Sequence, residues 1–167
     1  MRAELYENLI ASFGDVTDIK HIDLWNQNVE FIEQDTPFPM PALFVEFGEI
    51  IWRNVTGRSD IQEWQGKGTL VLHIVTKWAG SSGSENPDRE KSMEYLKIGE
   101  RIQPIIEKLR GVHFGNVHLS RTLTNHNHED VVENIEIYTV EFERRIPRAS
   151  PNDQEKSCRA RTGAQCP

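Results

Sequence analysis

The hydrophobic positions of this chain change period along its length, and the changes mark its elements. Leu5, Leu9 and Phe13 fall four residues apart with Tyr6 and Ile10 beside them, the spacing of one apolar face on a short helix that Gly14 and Asp15 end. From Ile19 to Gln34 the pattern alternates raggedly, with Ile22, Leu24, Val29 and Phe31 as inward positions of one strand or a short hairpin. Pro37, Pro39 and Pro41 then exclude regular structure up to Ala42, because each lacks a donor N–H and restricts the residue before it. Beyond them Leu43, Val45 and Phe47 lie on one face of a strand and Ala42, Phe44 and Glu46 on the other.

The most regular strand is "GKGTLVLHIVTKW", in which Leu70, Leu72, Ile74 and Trp78 share one face and Val71, His73 and Val75 the other. Both faces are mostly apolar, which predicts a central strand covered on both sides. Between Trp52 and Gly66 the mixed segment "RNVTGRSDIQEWQG" reads as a long connection, a class that is commonly functional or mobile. A second helix is predicted after "GSSGSENPDRE", where Ser84 or Asn86 caps, Pro87 suits the first turn, and Glu85, Asp88 and Glu90 meet the positive end of the dipole. Met93, Leu96, Ile102, Ile105, Ile106 and Leu109 form its apolar face, Lys108, Arg110 and Gly111 close it, and Pro104 is expected to kink it or split it at Gln103. Val117 to Thr122 and Asn134 to Ile146 read as the closing strands. The order predicts an α+β fold: one mainly antiparallel, twisted sheet with two principal helices packed on it, over residues 1–146.

Composition adds bounds. The 167 residues suit one domain, and 37% hydrophobic with 27% charged residues is the balance of a soluble globular protein. The apolar runs are too short to span a bilayer, and two acids interrupt the opening "MRAELYENLIASF", so neither a membrane span nor a secretory signal is expected. Cys158 and Cys166 are the chain's two cysteines and both lie near its end, which leaves the domain without a disulfide framework. A net charge of −7 argues against a broad basic face for nucleic acid. The basic residues concentrate instead at the end, where Arg144, Arg145, Arg148, Lys156, Arg159 and Arg161 face only Asp153 and Glu155. Residues 147–167 bury almost nothing and read as a polar, basic tail or arm that orders when something binds it.

One stretch invites a catalytic reading. In "LTNHNHEDVVENIEIYTVEF", His126 and His128 sit two apart, so on an extended segment they point the same way and, with Glu129 or Asp130, resemble a metal half-site. No second pair of ligands at a zinc-like spacing accompanies them, and the bland reading is a polar turn built by Asn125, Asn127 and Asp130 with both imidazoles solvated. Neither "GSSGS" nor "GKG" has the frame of a phosphate-binding loop, no serine sits in a nucleophile elbow, and His73 is placed as a satisfied core or interface residue. The residues that stand out are tryptophans. Trp25, Trp52, Trp64 and Trp78 fall at strand ends or in loops, where indoles serve interfaces or the edge of a core. Trp64 is the strongest interface candidate, since its loop offers little else to pack on.

The sequence of elements resembles a family. An amphipathic first helix, a ragged strand, a proline-rich lead into "PALFVEF", a long loop, "GTLVLHIVTKWAG", a helix of about five turns and the strands "VHLSRTLT" and "ENIEIYTVEFER" are similar to the tail terminator (tail completion) proteins of long-tailed bacteriophages. "IKHIDLWNQNVEFIEQDTPFPMPALFVEF" and "NHNHEDVVENIEIY" are similar to small structural proteins of phage and prophage tail modules of Bacteroidetes. The resemblance implies a non-enzymatic virion protein without cofactors, assembled in the host cytoplasm. Such a protein forms a homohexameric ring that docks on the last ring of the tail tube, ends its polymerisation and joins it to the neck while DNA passes through the lumen unbound. Its implied partners are itself, the tail tube protein and a neck or connector protein. The candidate contacts are Trp52, Arg53, Arg58, Trp64, Trp78, His126, His128, Arg148, Arg159 and Arg161, with the loops Asn54 to Gln65 and Ala79 to Asn86. The alternatives are another neck component, such as a stopper or head-completion protein, and a metal-dependent enzyme built on His126 and His128. The cysteine-bearing tail departs from the family pattern, and an arm laid across a neighbour is the expectation for it.

Overall fold

A computed structural model describes residues 1–14, 18–29, 38–55, 61–125 and 130–147. In chain order they form α1 (Arg2–Phe13), β1 (His21–Leu24), β2 (Ala42–Asn54), β3 (Ile61–Lys77), α2 (Arg89–Ser92), α3 (Glu94–Glu107), β4 (Phe114–Asn125) and β5 (Val131–Pro147). The strands make one sheet in the order β1-β2-β3-β5-β4. Only β1 runs parallel to its neighbour; the other three pairings are antiparallel. The fold is the expected α+β arrangement, with its helices on one face of a mainly antiparallel sheet.

The first helix forms as its spacing predicts, burying Leu5, Leu9 and Phe13. They pack with Ile98, Ile102 and Ile106 of α3 over Leu43, Val45, Leu70, Leu72, Ile74, Tyr138 and Val140 of the sheet. Most of the apolar area is removed from water on this face, at roughly 25 cal/mol per Å². A smaller cluster, Val29, Ala42, Phe44, Val75 and Val131 with Trp25, Phe38 and Met40 against it, covers one end of the opposite face. Central β3 is therefore covered on both sides only toward its C-terminal half.

The second helical region differs from expectation in three ways. It is interrupted at Met93, between α2 and α3, while α3 runs unbroken through Pro104 to Glu107. Pro104 is exposed, so water can satisfy the carbonyl its ring leaves without a donor. Leu96 is turned outward at 41% exposure, and Gly99 lies on the buried side instead. Glycine is needed there because a Cβ would stand 2.8 Å from Oε1 of Glu136 beneath the helix.

The largest correction concerns the long connection. Ile61 to Gln65 are not loop but the start of β3, paired with Arg53 and Asn54 on one side and with Glu143 to Pro147 on the other. The expectation failed because alternation there is of mixed polarity, and the pairing comes from two long neighbours rather than from a buried face. Residues 56–60 lie outside the described residues, as does the tail beyond Pro147. The closing strands are likewise longer than the hydrophobic pattern indicates.

Candidate functional site

The sheet divides into two ends. At the base, where β1 and β4 flank the long strands, five strands carry the helices. Toward the other end β1 stops level with Val45 and β4 begins level with Phe142. Past Val45 the edge of β2 has no strand beside it among the described residues, while β4 still pairs with β5 as far as Phe142, level with Trp52; beyond that β2, β3 and β5 continue as a three-stranded tip. A register shift between Phe47 and Ile50 marks the change, and it turns Ile50 and Trp52 to the helix side and Ile51 to the opposite side.

The tip holds most of the described interface candidates. Trp52 packs 6.4 Å from the ring of Phe142; the indole lies over Gly66, where a Cβ would come within 2.8 Å of it, and the Phe142 ring lies over Gly68. Trp64 stands in β3, one alternate position away, half-buried with its indole N–H shielded from solvent and without a hydrogen-bond partner among the described residues. It is a strand residue and not the loop residue expected. Arg53 is exposed and donates to Oε1 of Gln65 at 2.7 Å, and Arg145 pairs with Glu63 at 3.3 Å. On the open side Ile51 is 68% exposed beside a hollow of about 570 Å³ bounded by Arg53, Gln65, Lys67, Glu141 and Phe142. Trp78 lies apart from these, at the base end of β3, 44% exposed, with its amide bonded to the carbonyl of Asp130. The loop after it, to Asn86, is a largely exposed connection as expected. Arg58, His126, His128, Arg148, Arg159 and Arg161 lie outside the described residues.

A buried polar cluster at the base was only half legible in the sequence. Nδ1 of His73 lies 2.6 Å from Oε1 of Glu133, Nε2 lies 3.1 Å from Oε2 of Glu46, and the indole of Trp25 stacks on the imidazole at 3.8 Å with planes 3° apart. Oε2 of Glu133 accepts from Nδ2 of Asn125 at 2.9 Å, so the cluster reaches the end of β4. With both ring nitrogens on carboxylates and a face under tryptophan, His73 ties β2, β3 and β5 together and has no free nitrogen for base catalysis. The placement of His73 as a satisfied residue follows from strand periodicity. Its partners do not, because Glu46 and Glu133 sit diagonally across two different strands, at positions set by register alone.

A second polar pair lies under α3. The Tyr138 hydroxyl donates to Oε2 of Glu136, and both side chains are almost fully buried. Burial pushes the Glu136 carboxyl above its usual range, opposed by the Tyr138 hydrogen bond and helped by the nearby Glu107 carboxylate. The Tyr138 phenol is also raised, first by burial and then by Glu136. Both groups are buried and bonded to each other, so the pair reads as packing held at a cost in desolvation. Among the described residues no group of three or more His, Cys, Asp or Glu side chains is placed to hold a metal, and no helix is long and apolar enough to cross a membrane.

No protein-family model matches the chain, and no curated protein matches it.

Proposed function

We propose that this chain is a structural protein that works by assembling with copies of itself, as a ring at the head-proximal end of a phage tail. The ring ends the tail tube and joins it to the neck; residues on the tip and the basic tail make the contacts. The reading rests on the resemblance in element order and on one geometric observation. The helices cover a five-stranded base, whereas the edge of β2 runs on past the end of β1 with Ile51, Trp52 and Arg53, and β3 and β5 run on past the start of β4 with Trp64. Such an extension contributes little to a monomer's core, and exposed apolar and arginine side chains on it suit a partner surface. A net charge of −7 suits a ring whose lumen passes DNA without holding it.

The test is the solution mass by light scattering across protein concentration, with and without a chelator and with tail tubes added. A mass of roughly six subunits, or single chains that become rings on tubes, indifferent to chelation, is the expected result. A single chain that ignores tubes and changes with chelator would return attention to His126 and His128 and to a metal-dependent enzyme. Rings that bind a portal-side protein but not tubes would favour a stopper or head-completion role.

A further inference from the structure

Among the described residues the backbone of the tip has two open edges, and their hydrogen-bonding groups can be assigned. The amide of Val55 donates to the carbonyl of Glu63 at 2.7 Å. Residue pairs of an antiparallel ladder alternate between bonded and non-bonded, so the backbone groups of Arg53 and Ile51 also turn to β3 and those of Ile50, Trp52 and Asn54 turn outward. On the other side the amide of Glu143 donates to His113 at 3.0 Å, away from β3. By the same alternation the groups of Arg145 and the carbonyl of Pro147 face outward too. Among the described residues no strand pairs with either edge.

The edges match each other. Strands β2 and β5 are both antiparallel to β3 between them, so they run in the same direction. A second copy placed beside the first with its sheet facing the same way therefore brings its β2 edge against the first copy's β5 edge as parallel strands. Outward groups meet when Arg145 lies opposite Glu49, Ile51 or Arg53. Opposite Arg53 it would meet a like charge, and opposite Ile51 it would set Glu143 against Glu49. Opposite Glu49 it meets the opposite charge on the same sheet face, and Pro147 lands on the exposed Ile51. Pro147 has no N–H, and this register asks it only for its carbonyl, which the Trp52 amide reaches; the Arg145 carbonyl takes the Ile50 amide, and the Arg145 amide reaches the Gly48 carbonyl, which also accepts from Nη2 of Arg2 at 2.6 Å through its other lone pair.

The geometry points to a head-to-tail strand pairing between copies of this chain, β5 (Arg144–Pro147) of one against β2 (Gly48–Trp52) of the next, with Arg145 facing Glu49. It rests on the self-assembly reading above and names the surface that reading requires. The pairing is heterologous, since the two edges differ, and a heterologous contact builds rings or filaments where a contact of like with like stops at dimers. The base edges are closed to such pairing. β1 is only four residues long, and β4 carries register shifts between Gly115 and His118 and between Leu119 and Arg121, features that blunt an edge. With few hydrogen bonds in the pairing, assembly is expected to depend on concentration or on a docking template.

The test uses the full chain with Cys158→Ser and Cys166→Ser, carrying Glu49→Cys and Arg145→Cys together or singly, oxidised and run on a non-reducing gel. The expected result is a ladder of covalent multimers from the double-cysteine chain and monomers from each single one. Dimers from either single-cysteine chain, or no cross-links from the double one, would overturn the pairing. The mass of the reduced protein separates the two failures: a multi-subunit mass without a ladder sinks the strand pairing alone, and a single-subunit mass without a ladder sinks the self-assembly reading with it. As a second variant, Arg145→Pro removes the outward N–H and is expected to abolish the multi-subunit mass, while Arg145→Ala keeps that N–H and is expected to lower it less. Equal masses for the two would count against a backbone pairing.

Discussion

The base and the tip of one continuous sheet answer to different constraints. At the base, each long strand has neighbours on both edges, one face lies under α1 and α3, and the other carries the His73 cluster. At the tip the same strands run on with open edges, with one apolar flank of Ile50, Trp52 and Phe142 and with charged residues of both signs on the other. The glycines show the contrast at close range. Gly99 makes room for a buried carboxylate under a helix, whereas Gly66 and Gly68 make room for the large side chains of Trp52, Ile50 and Phe142 in a ribbon with few layers above it. Stability concentrates where layers stack.

Substitutions should separate the two regions. The largest loss is expected for His73→Ala, which leaves Glu133 buried, though still bonded to Asn125, without its imidazole; breaking a buried pair of this kind costs about 3–5 kcal/mol, readable as a lower urea midpoint. Leu72→Ala, at a fully buried position, should cost about 2–5 kcal/mol by the same measurement, and Trp52→Ala on the half-buried tip only about 1 kcal/mol. Equal losses at the two positions would erase the distinction between base and tip.

Glu136→Gln probes the pair beneath α3 and has a signed pH dependence. The folded protein holds this carboxyl above its unfolded value, so its contribution is fully present below the unfolded range and is lost as pH rises through the folded one. The amide cannot ionise and still accepts from Tyr138. The variant should therefore gain on the parent as pH rises from acid to neutral, in urea titrations at a series of pH values. A difference that shrinks with rising pH would show that the carboxylate is stabilised where it lies. The smallest effect on folding is expected for Ile51→Lys, within about 0.5 kcal/mol because the side chain is already exposed. Its effect on the mass of the assembled protein should be large, since the strand pairing places Pro147 on this side chain.

Periodicity disclosed the base well. Leu5, Leu9 and Phe13 bury one face of a helix, and the apolar runs from Ala42 to Val45 and from Leu70 to Val75 are strands covered on both faces at the base; burial of that kind writes itself into the order of residues. It disclosed the tip poorly, where Ile61 to Gln65 pair without burying a face and so leave no apolar period to find. The break at Met93 escaped notice because proline at 104 is the stronger sequence signal, yet an exposed proline in a solvated turn need not end a helix.

The sequence by itself determined the α+β class, the inward face of α1, the central position of β3 and the quiet role of His73, all of which follow from local spacing and burial. Tertiary structure decided what depends on register: that Glu46 and Glu133 clasp His73, that Gly99 sits over Glu136, that Trp64 belongs to a strand, and that β2 outruns β1 and β5 outruns β4 among the described residues. Register is a relation between strands distant in the chain, fixed by the summed packing of the whole sheet, and no short stretch of residues carries it.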